Sequence, residues 1–360
     1  MIKPWHEWIF ILFPGGGETK ALEECTDDQY VEHIKTLIGD ASVSVDVLGI
    51  SKWIINEIVA EQYSRGNVFC LGDAVHRHPP MNGLGANTCI QDAYNLAWKV
   101  AYVERGLASS DLLETYNTER QPVGLGIVTR ANEAFGFQSA VWQAMGITTD
   151  KIPDRKAALD ELAASTEGGR IRRKAFHDAI RNTNMEFQGL GIEMGQYYQS
   201  NAVINETVDG VPVSDPRHKD TQVLRYVPST QPGRRLPHVW LNSACPTEFS
   251  TSTQDLAGKG RFCIFTGHGG QGWKTAAANV RSNRKLDVSV HTIGFGLEWE
   301  DVYFDWENVR GVEESGCVLV RPDRIVAWRC AETLSDVEKC TKKLMDVLGQ
   351  ILGWKIPIPV

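Results

Sequence analysis

Short apolar runs and longer helical stripes divide the chain. Val68, Phe69, Cys70 and Leu71 form an unbroken apolar run, the pattern of a buried strand. Ile90, Ala93, Tyr94, Ala97, Trp98 and Ala101 then recur at helical spacing as one apolar stripe, with Gln91, Asp92, Asn95 and Lys99 largely on the other side. The aromatics of that stripe are expected in a core; Asp92 and Asn95 either fix the helix to the preceding strand or face solvent. Gly106 ends this helix, and Ser110-Asp111 caps a second one running through Glu119. Upstream, Trp8–Phe13 and Ser42–Gly49 read as strands, with a polar helical stretch near Asp27–Ile38 between them. Residues 154–184 read as helical, broken at Glu167-Gly168-Gly169, and the basic run from Arg170 to Lys174 reads as a solvated face. Turn signals at Asp209-Gly210, Pro212 and Asp215-Pro216, among few apolar runs, predict a linker over 201–235.

The remainder, 236–360, has the pattern of a separate α/β unit. Arg261–Thr266 and Val288–Ile293 are β-rich runs flanking a helical segment from Trp273 to Arg281. Cys317–Arg321 and Ile325–Arg329 flank Pro322-Asp323-Arg324, a hairpin signal. Ser335 then caps an amphipathic helix reaching Leu352, with Asp336 and Glu338 in its first turn. Cys263 and Cys317 are expected as buried strand residues.

Composition narrows the class. With 42% apolar residues over 360 positions, the chain is long enough for two domains. A net charge of -8 disfavours nucleic acid as a partner, and the short basic run Arg170–Lys174, read as a solvated face, does not contradict that. The early apolar stretch Trp8–Pro14 is too short to span a bilayer and has no signal-peptide cleavage pattern. Eight cysteines without a Cys-x-x-Cys pair indicate neither a zinc site nor a disulfide framework, which fits a reducing, cytoplasmic compartment.

The chemistry concentrates in residues 72–99. An acid, Asp73, follows the apolar run; Pro79-Pro80 and Gly83-Leu84-Gly85 make a turn; a long helix then opens. A carboxylate beside a bare helix N-terminus suits a ligand bearing both hydroxyls and negative charge. His76 and His78 could suggest a metal, but no cysteine or carboxylate set with ligand spacing accompanies them, so no metal is expected.

This stretch resembles the second flavin-binding motif of the single-component FAD-dependent aromatic hydroxylases, in their phenol hydroxylase and dichlorophenol monooxygenase branch. Further stretches match in order: Lys3–Trp8, Trp53 with Asn56-Glu57, Leu112–Tyr116 with Glu119–Val123, Leu190–Tyr197 and Cys317–Asp323. The resemblance implies an α/β fold, an incomplete flavin-hydroxylase FAD/substrate domain followed by a thioredoxin-like α/β domain. Residues 1–60 would be a remnant of the substrate-binding sheet, 61–200 the C-terminal part of the FAD domain with a helical extension, and 236–360 the thioredoxin-like domain. Gly72, Asp73, Pro80, Gly83, Leu84, Gly85, Ala86 and Asn87 would bind FAD, with Asp73 accepting from a ribityl hydroxyl. The backbone N–H groups of Leu84, Ala86 and Asn87 would face the flavin pyrimidine edge. The implied activity is hydroxylation of a phenolic or polyketide-type ring with NADPH or NADH and O2, with a homodimer possible through the C-terminal domain. The family's Gly-x-Gly-x-x-Gly fingerprint has no counterpart: Gly15-Gly16-Gly17 has the wrong spacing. No catalytic base is assigned. A truncated hydroxylase and a catalytically inactive remnant or folded partner are both consistent with that pattern.

Overall fold

The computed structural model describes residues 3, 6–12, 25–52, 54–149, 151–205, 207–208, 211–212, 224–243, 250–331, 334 and 336–354. In chain order the elements that matter are α1 (Asp27–Ile38), β1 (Ile58–Val59), β2 (Ser64–Arg65), β3 (Val68–Phe69) and β4 (His76–Arg77). Helices α2 (Gly85–Glu104), α3 (Asp111–Met145), α4 (Ile152–Ala163) and α5 (Glu167–Phe187) follow. The C-terminal part contains β5 (Phe262–Thr266), α6 (Gln271–Arg284), β6 (Val288–Thr292), β7 (Cys317–Val320), β8 (Val326–Cys330) and α7 (Val337–Leu352). Two compact units result: Met1–Ile55 with Phe135–Thr183, and Asn56–Ala134 with Asn184–Val360.

In the first unit α1 forms where the sequence predicts it. Thr26 and Gln29 make a capping box, and Gly39 closes the helix at φ 78°. The two expected strands do not form: residues 8–12 and 42–49 carry no strand, and Ile9, Ile11 and Leu48 are exposed. An apolar run becomes a strand only where a neighbour completes its ladder, and no described segment does so here. The interruption between α4 and α5 is 164–166 rather than the glycines, which sit in the first turn of α5. A Cβ on Gly169 would lie 2.3 Å from the Ala164 carbonyl oxygen, which accounts for glycine there. The basic run is largely committed within this unit. Arg172 pairs with Glu161 at 2.8 Å, Arg173 donates to the Leu162 and Ala164 carbonyls, and Lys174 pairs with Asp178.

The second unit contains the predicted C-terminal architecture. Its sheet has the order β6-β5-β7-β8, with β6 parallel to β5 and the other pairs antiparallel. The parallel pair is joined by α6, and β7 and β8 by the predicted turn, where Arg324 adopts φ 64°. Alternation along β5 sends Phe262 and Ile264 toward α6 and α7, and Cys263 and Phe265 toward Leu236, Leu241 and Trp306. Both faces are covered, and Cys263 and Cys317 are fully buried as expected. The cap of α7 falls on Asp336, whose side chain accepts from the N–H groups of Glu338 and Lys339. Ser335 lies outside the described residues, as do Gly15-Gly16-Gly17, Trp5, Trp53, Asp209-Gly210 and Asp215-Pro216.

Three expectations around the motif are corrected. The run Val68–Leu71 is not a buried strand: β3 is two residues long, pairs only with β2, and leaves Val68 65% exposed. A strand of this type is buried when other strands and helices cover it, and the described residues supply only two-stranded pairs here. Helix α2 is turned the other way round. Thr88, Asp92, Asn95, Trp98, Lys99 and Tyr102 are buried, whereas Ile90 and Tyr94 of the apolar stripe are exposed. Trp98 is the one stripe residue that enters the core, edge-on to Tyr102 and Phe262 at centroid distances of 5.3 and 5.8 Å. Helix α3 does not stop at Glu119 but continues through Pro122 to Met145. Proline removes a single backbone donor, and the buried Glu119 and Arg120 anchor the turn before it.

Candidate functional site

Gly72, Asp73 and Ala74 form a single tight turn, with Gly72 in the left-handed region at φ 61°. A Cβ at Gly72 would lie 2.9 Å from the Cys89 sulfur, so this turn rests directly on the start of α2. Asp73 is exposed, and its carboxylate has no hydrogen-bond or ion-pair partner among the described residues. The Cys89 thiol is pushed up by burial and then by the nearby charges of Asp73 and Asp92. Asp73 and the first turns of α2 are therefore neighbours.

The second half of the motif is a turn from Met81 to Gly83 leading into α2. Asn82 takes φ 64° and Gly83 φ 61°. The Asn82 amide donates to the carbonyls of Met185 and Glu186, at 3.3 and 3.1 Å, which ties the turn to the end of α5. Helix α2 has Leu84 at its N-cap and no side-chain cap. Its first N–H groups, at Gly85, Ala86 and Asn87, thus have neither an intrahelical partner nor a cap. A Cβ on Gly83 would meet nothing within 4 Å, and Pro80, Ala86 and Asn87 are exposed. Leu84 is buried and Gly85 half-buried beside His78.

The predicted residues thus fall into two groups. Asp73, Pro80, Gly83, Ala86 and Asn87 are at the surface; Gly72 and Leu84 hold the turns from beneath. The two histidines are used structurally. His76 is buried with Nε2 2.9 Å from Asp92, and Nδ1 of His78 lies 2.7 Å from the Pro79 carbonyl.

Beneath this surface lies a charge network; of its members only Asp92 and Asn95 carry a candidate structural role in the sequence, fixing the helix to the preceding segment, and Asp92 does so. Asp92 accepts from the Gly72 N–H at 3.2 Å, from His76, and from Arg120 Nε at 2.7 Å. Arg120 also donates to Tyr198 at 2.8 Å and Gln196 at 3.0 Å. One position earlier, Glu119 accepts from Lys99 at 2.8 Å, Ser200 at 2.6 Å, and both terminal nitrogens of Arg321 at 2.6 and 2.8 Å. Arg321 pairs in turn with Asp323, and Asn95 donates to Glu119 and Asp323. Burial opposes charge on Asp92, but the His76 and Arg120 contacts outweigh it and hold the carboxyl below its usual value. Glu119 is likewise disfavoured by burial yet lowered by Arg321 and Lys99. Burial draws Lys99 down to about 8 against the pull of Glu119. A signal existed: Asp92, Asn95 and Lys99 on one helix face are complementary to Glu119-Arg120 on the next helix.

Comparison with known proteins places this geometry. Residues 1–131 match the FAD binding domain family, and residues 229–354 match the family described as aromatic-ring hydroxylase, C-terminal. Residues 229–354 are thus similar to an aromatic-ring hydroxylase C-terminal domain. Around that domain the likeness extends along most of the chain. The chain is 40% identical to phenol 2-monooxygenase of Pseudomonas sp. (strain EST1001) over 97% of its own length and 56% of that protein's. It is 39% identical to 2,4-dichlorophenol 6-monooxygenase of Delftia acidovorans, over 91% of its own length and 55% of that protein's. A crystal structure of the flavin-dependent monooxygenase PieE in complex with FAD and substrate superposes with a TM-score of 0.82 at 39% identity. That match covers 91% of this chain and 55% of PieE. The chain thus spans little more than half the length of these relatives. Among the described residues no helix is long and apolar enough to cross a membrane.

Proposed function

We propose that this chain carries the flavin-facing turn of an FAD-dependent monooxygenase that hydroxylates a phenolic or polyketide-type aromatic ring with NADPH or NADH and O2. The observation that carries the reading is the open surface made by Asp73 and the uncapped start of α2. Its donor set fits FAD. An exposed, unpartnered carboxylate accepts hydroxyl hydrogens, and three free backbone N–H groups meet an electron-rich heterocycle edge. Bound FAD would supply the oxygen-transfer chemistry, which no side chain can provide. Asp73 would hold the ribityl chain; Gly83 and Gly85 would let backbone approach the ring; Pro80 would stiffen the turn. Of the N–H groups expected to face the flavin edge, those at Ala86 and Asn87 belong to that free set, together with Gly85, and would stabilise negative charge there. In this reading 1–60 belongs to a substrate-binding sheet, 61–200 to the FAD domain, 201–235 is a linker and 236–360 the thioredoxin-like domain, through which two copies pair. A cytoplasmic setting fits a chain whose cysteines carry no Cys-x-x-Cys pair.

The exposed apolar stripe of α2 favours a second reading, in which the chain binds flavin only together with a polypeptide that covers Ile90 and its neighbours. One experiment separates the two. The purified chain is incubated with FAD, desalted and scanned for flavin absorbance. Retained flavin that D73N releases supports the first reading, and NADPH oxidation with a phenol panel then tests activity. A colourless, soluble chain refutes autonomous binding and leaves the second.

A further inference from the structure

Asp92 is not among the residues expected to touch a cofactor, yet its side chain is fully buried, with one oxygen bonded to the Gly72 turn and the strand after it and the other to Arg120. Gly72 occupies a left-handed conformation pressed against Cys89, and such a turn keeps its geometry only when its polar groups are held. Its N–H is held by Asp92 Oδ2 at 3.2 Å. The same oxygen receives His76 Nε2, which fixes the segment immediately after the turn, and β4 at His76–Arg77 pairs with β1. The other oxygen is clamped by Arg120, itself committed to Tyr198 and Gln196. The carboxylate is thus fixed by a helix below it and fixes a strand-turn segment above it.

We infer that Asp92 is the positioning residue of the cofactor turn: through the Gly72 N–H and His76 it sets the direction of the Asp73 carboxylate without itself reaching the ligand. The inference rests on the flavin reading of this site. A carboxylate is required because both oxygens must accept. Asparagine has the same shape but turns an NH2 donor toward either Arg120 or the Gly72 N–H, opposing donor to donor.

The test uses the full chain as wild type, D92N and D73N, with FAD affinity read by flavin fluorescence and amide exchange read at Gly72 and at Ile264 of β5. Loss of one buried hydrogen bond predicts roughly tenfold weaker FAD binding and about tenfold faster Gly72 exchange in D92N. Ile264 exchange is expected to stay unchanged. D73N is expected to weaken FAD while leaving Gly72 exchange as in wild type. Wild-type affinity and exchange in D92N would overturn the inference, as would an equal rise at Ile264, which would mark general loosening. If even the wild type binds no FAD, the flavin reading fails, and Gly72 exchange alone decides whether Asp92 positions the turn. If D92N does not fold, D92E keeps the charge but displaces the oxygens by one methylene. It must then show the same selective rise at Gly72, and unchanged exchange overturns the inference.

Discussion

The segment around the Gly72–Ala74 turn and the C-terminal α/β sheet belong to one unit but are stabilised in opposite ways. The C-terminal sheet is closed on both faces by apolar side chains: every residue of β5 and β7 is buried. Around the turn the strands are two-residue pairs, Val68 and Ile58 are exposed, and the apolar cluster there consists of Tyr63, Val75 and Tyr116 with a few partly buried neighbours. What fixes this region is polar: a buried network of carboxylates and guanidinium groups shared by α2, α3 and the β7–β8 turn. Apolar packing is non-directional and tolerates conservative change, whereas a buried charge is tolerated only with its partner. One half of the unit is held by volume, the other by pairing.

The largest effects are expected where the two halves meet. Replacing Arg321 with Met leaves Glu119 and Asp323 facing each other in a buried site and should cost about 3–5 kcal/mol in urea unfolding. An R321M/E119Q double variant should recover part of this loss, and a purely additive result would refute the pairing. Next comes a matched pair of truncations: I264A should cost about 2–5 kcal/mol through its cavity, whereas V68A should stay within about 0.5 kcal/mol. Equal costs would abolish the contrast between the regions. G72A places a Cβ against Cys89 at a left-handed position and should cost about 1–2 kcal/mol or more, while G83A, at similar φ but in open space, bears only the backbone share of this. Comparable melting shifts would show that the Cys89 contact is unimportant.

The smallest effect near neutrality becomes the clearest in acid. Asp92 and Glu119 are lowered from ordinary values of 3.8 and 4.5, so the unfolded chain binds more protons than the folded one below those values. Their stabilisation is complete above about pH 5 and is lost progressively as the pH falls toward their lowered native values. Melting temperature should therefore drop between pH 5 and 3, and D92N should flatten part of the drop. A pH-independent melting temperature over that range would mean that the network is not ionised.

The sequence made the C-terminal region legible because its rules there are local. A continuous apolar, β-rich run placed β5, the Pro322–Arg324 turn placed the hairpin, and amphipathic periodicity placed α7. The positions of the two motif turns were legible too, since Gly72 and Gly83 mark them and both adopt the left-handed conformation. The orientation of α2 was not. Hydropathy assigns Ile90, Ala93 and Ala97 to the inside and Asp92, Asn95 and Lys99 to the outside, but the structure reverses this. The reason lies 20 residues and more away, in Glu119, Arg120, Arg321 and Asp323, whose charges make the polar face the better-matched one. Strand lengths near the turn failed for a related reason: Val68–Leu71 has strand propensity, but pairing depends on neighbours that no local pattern reveals.

The network also constrains how such a chain can change over generations. Lys99, Arg120 and Arg321 stand against Asp92, Glu119 and Asp323, three basic side chains and three acidic ones, enclosed together. Exchanging one member alone removes a counter-charge from its partners, so a compensating second change across α2, α3 or the C-terminal hairpin is expected to restore part of the loss. The Gly72–Ala74 turn and the C-terminal hairpin are thereby tied to one another, although more than two hundred residues separate them in the chain.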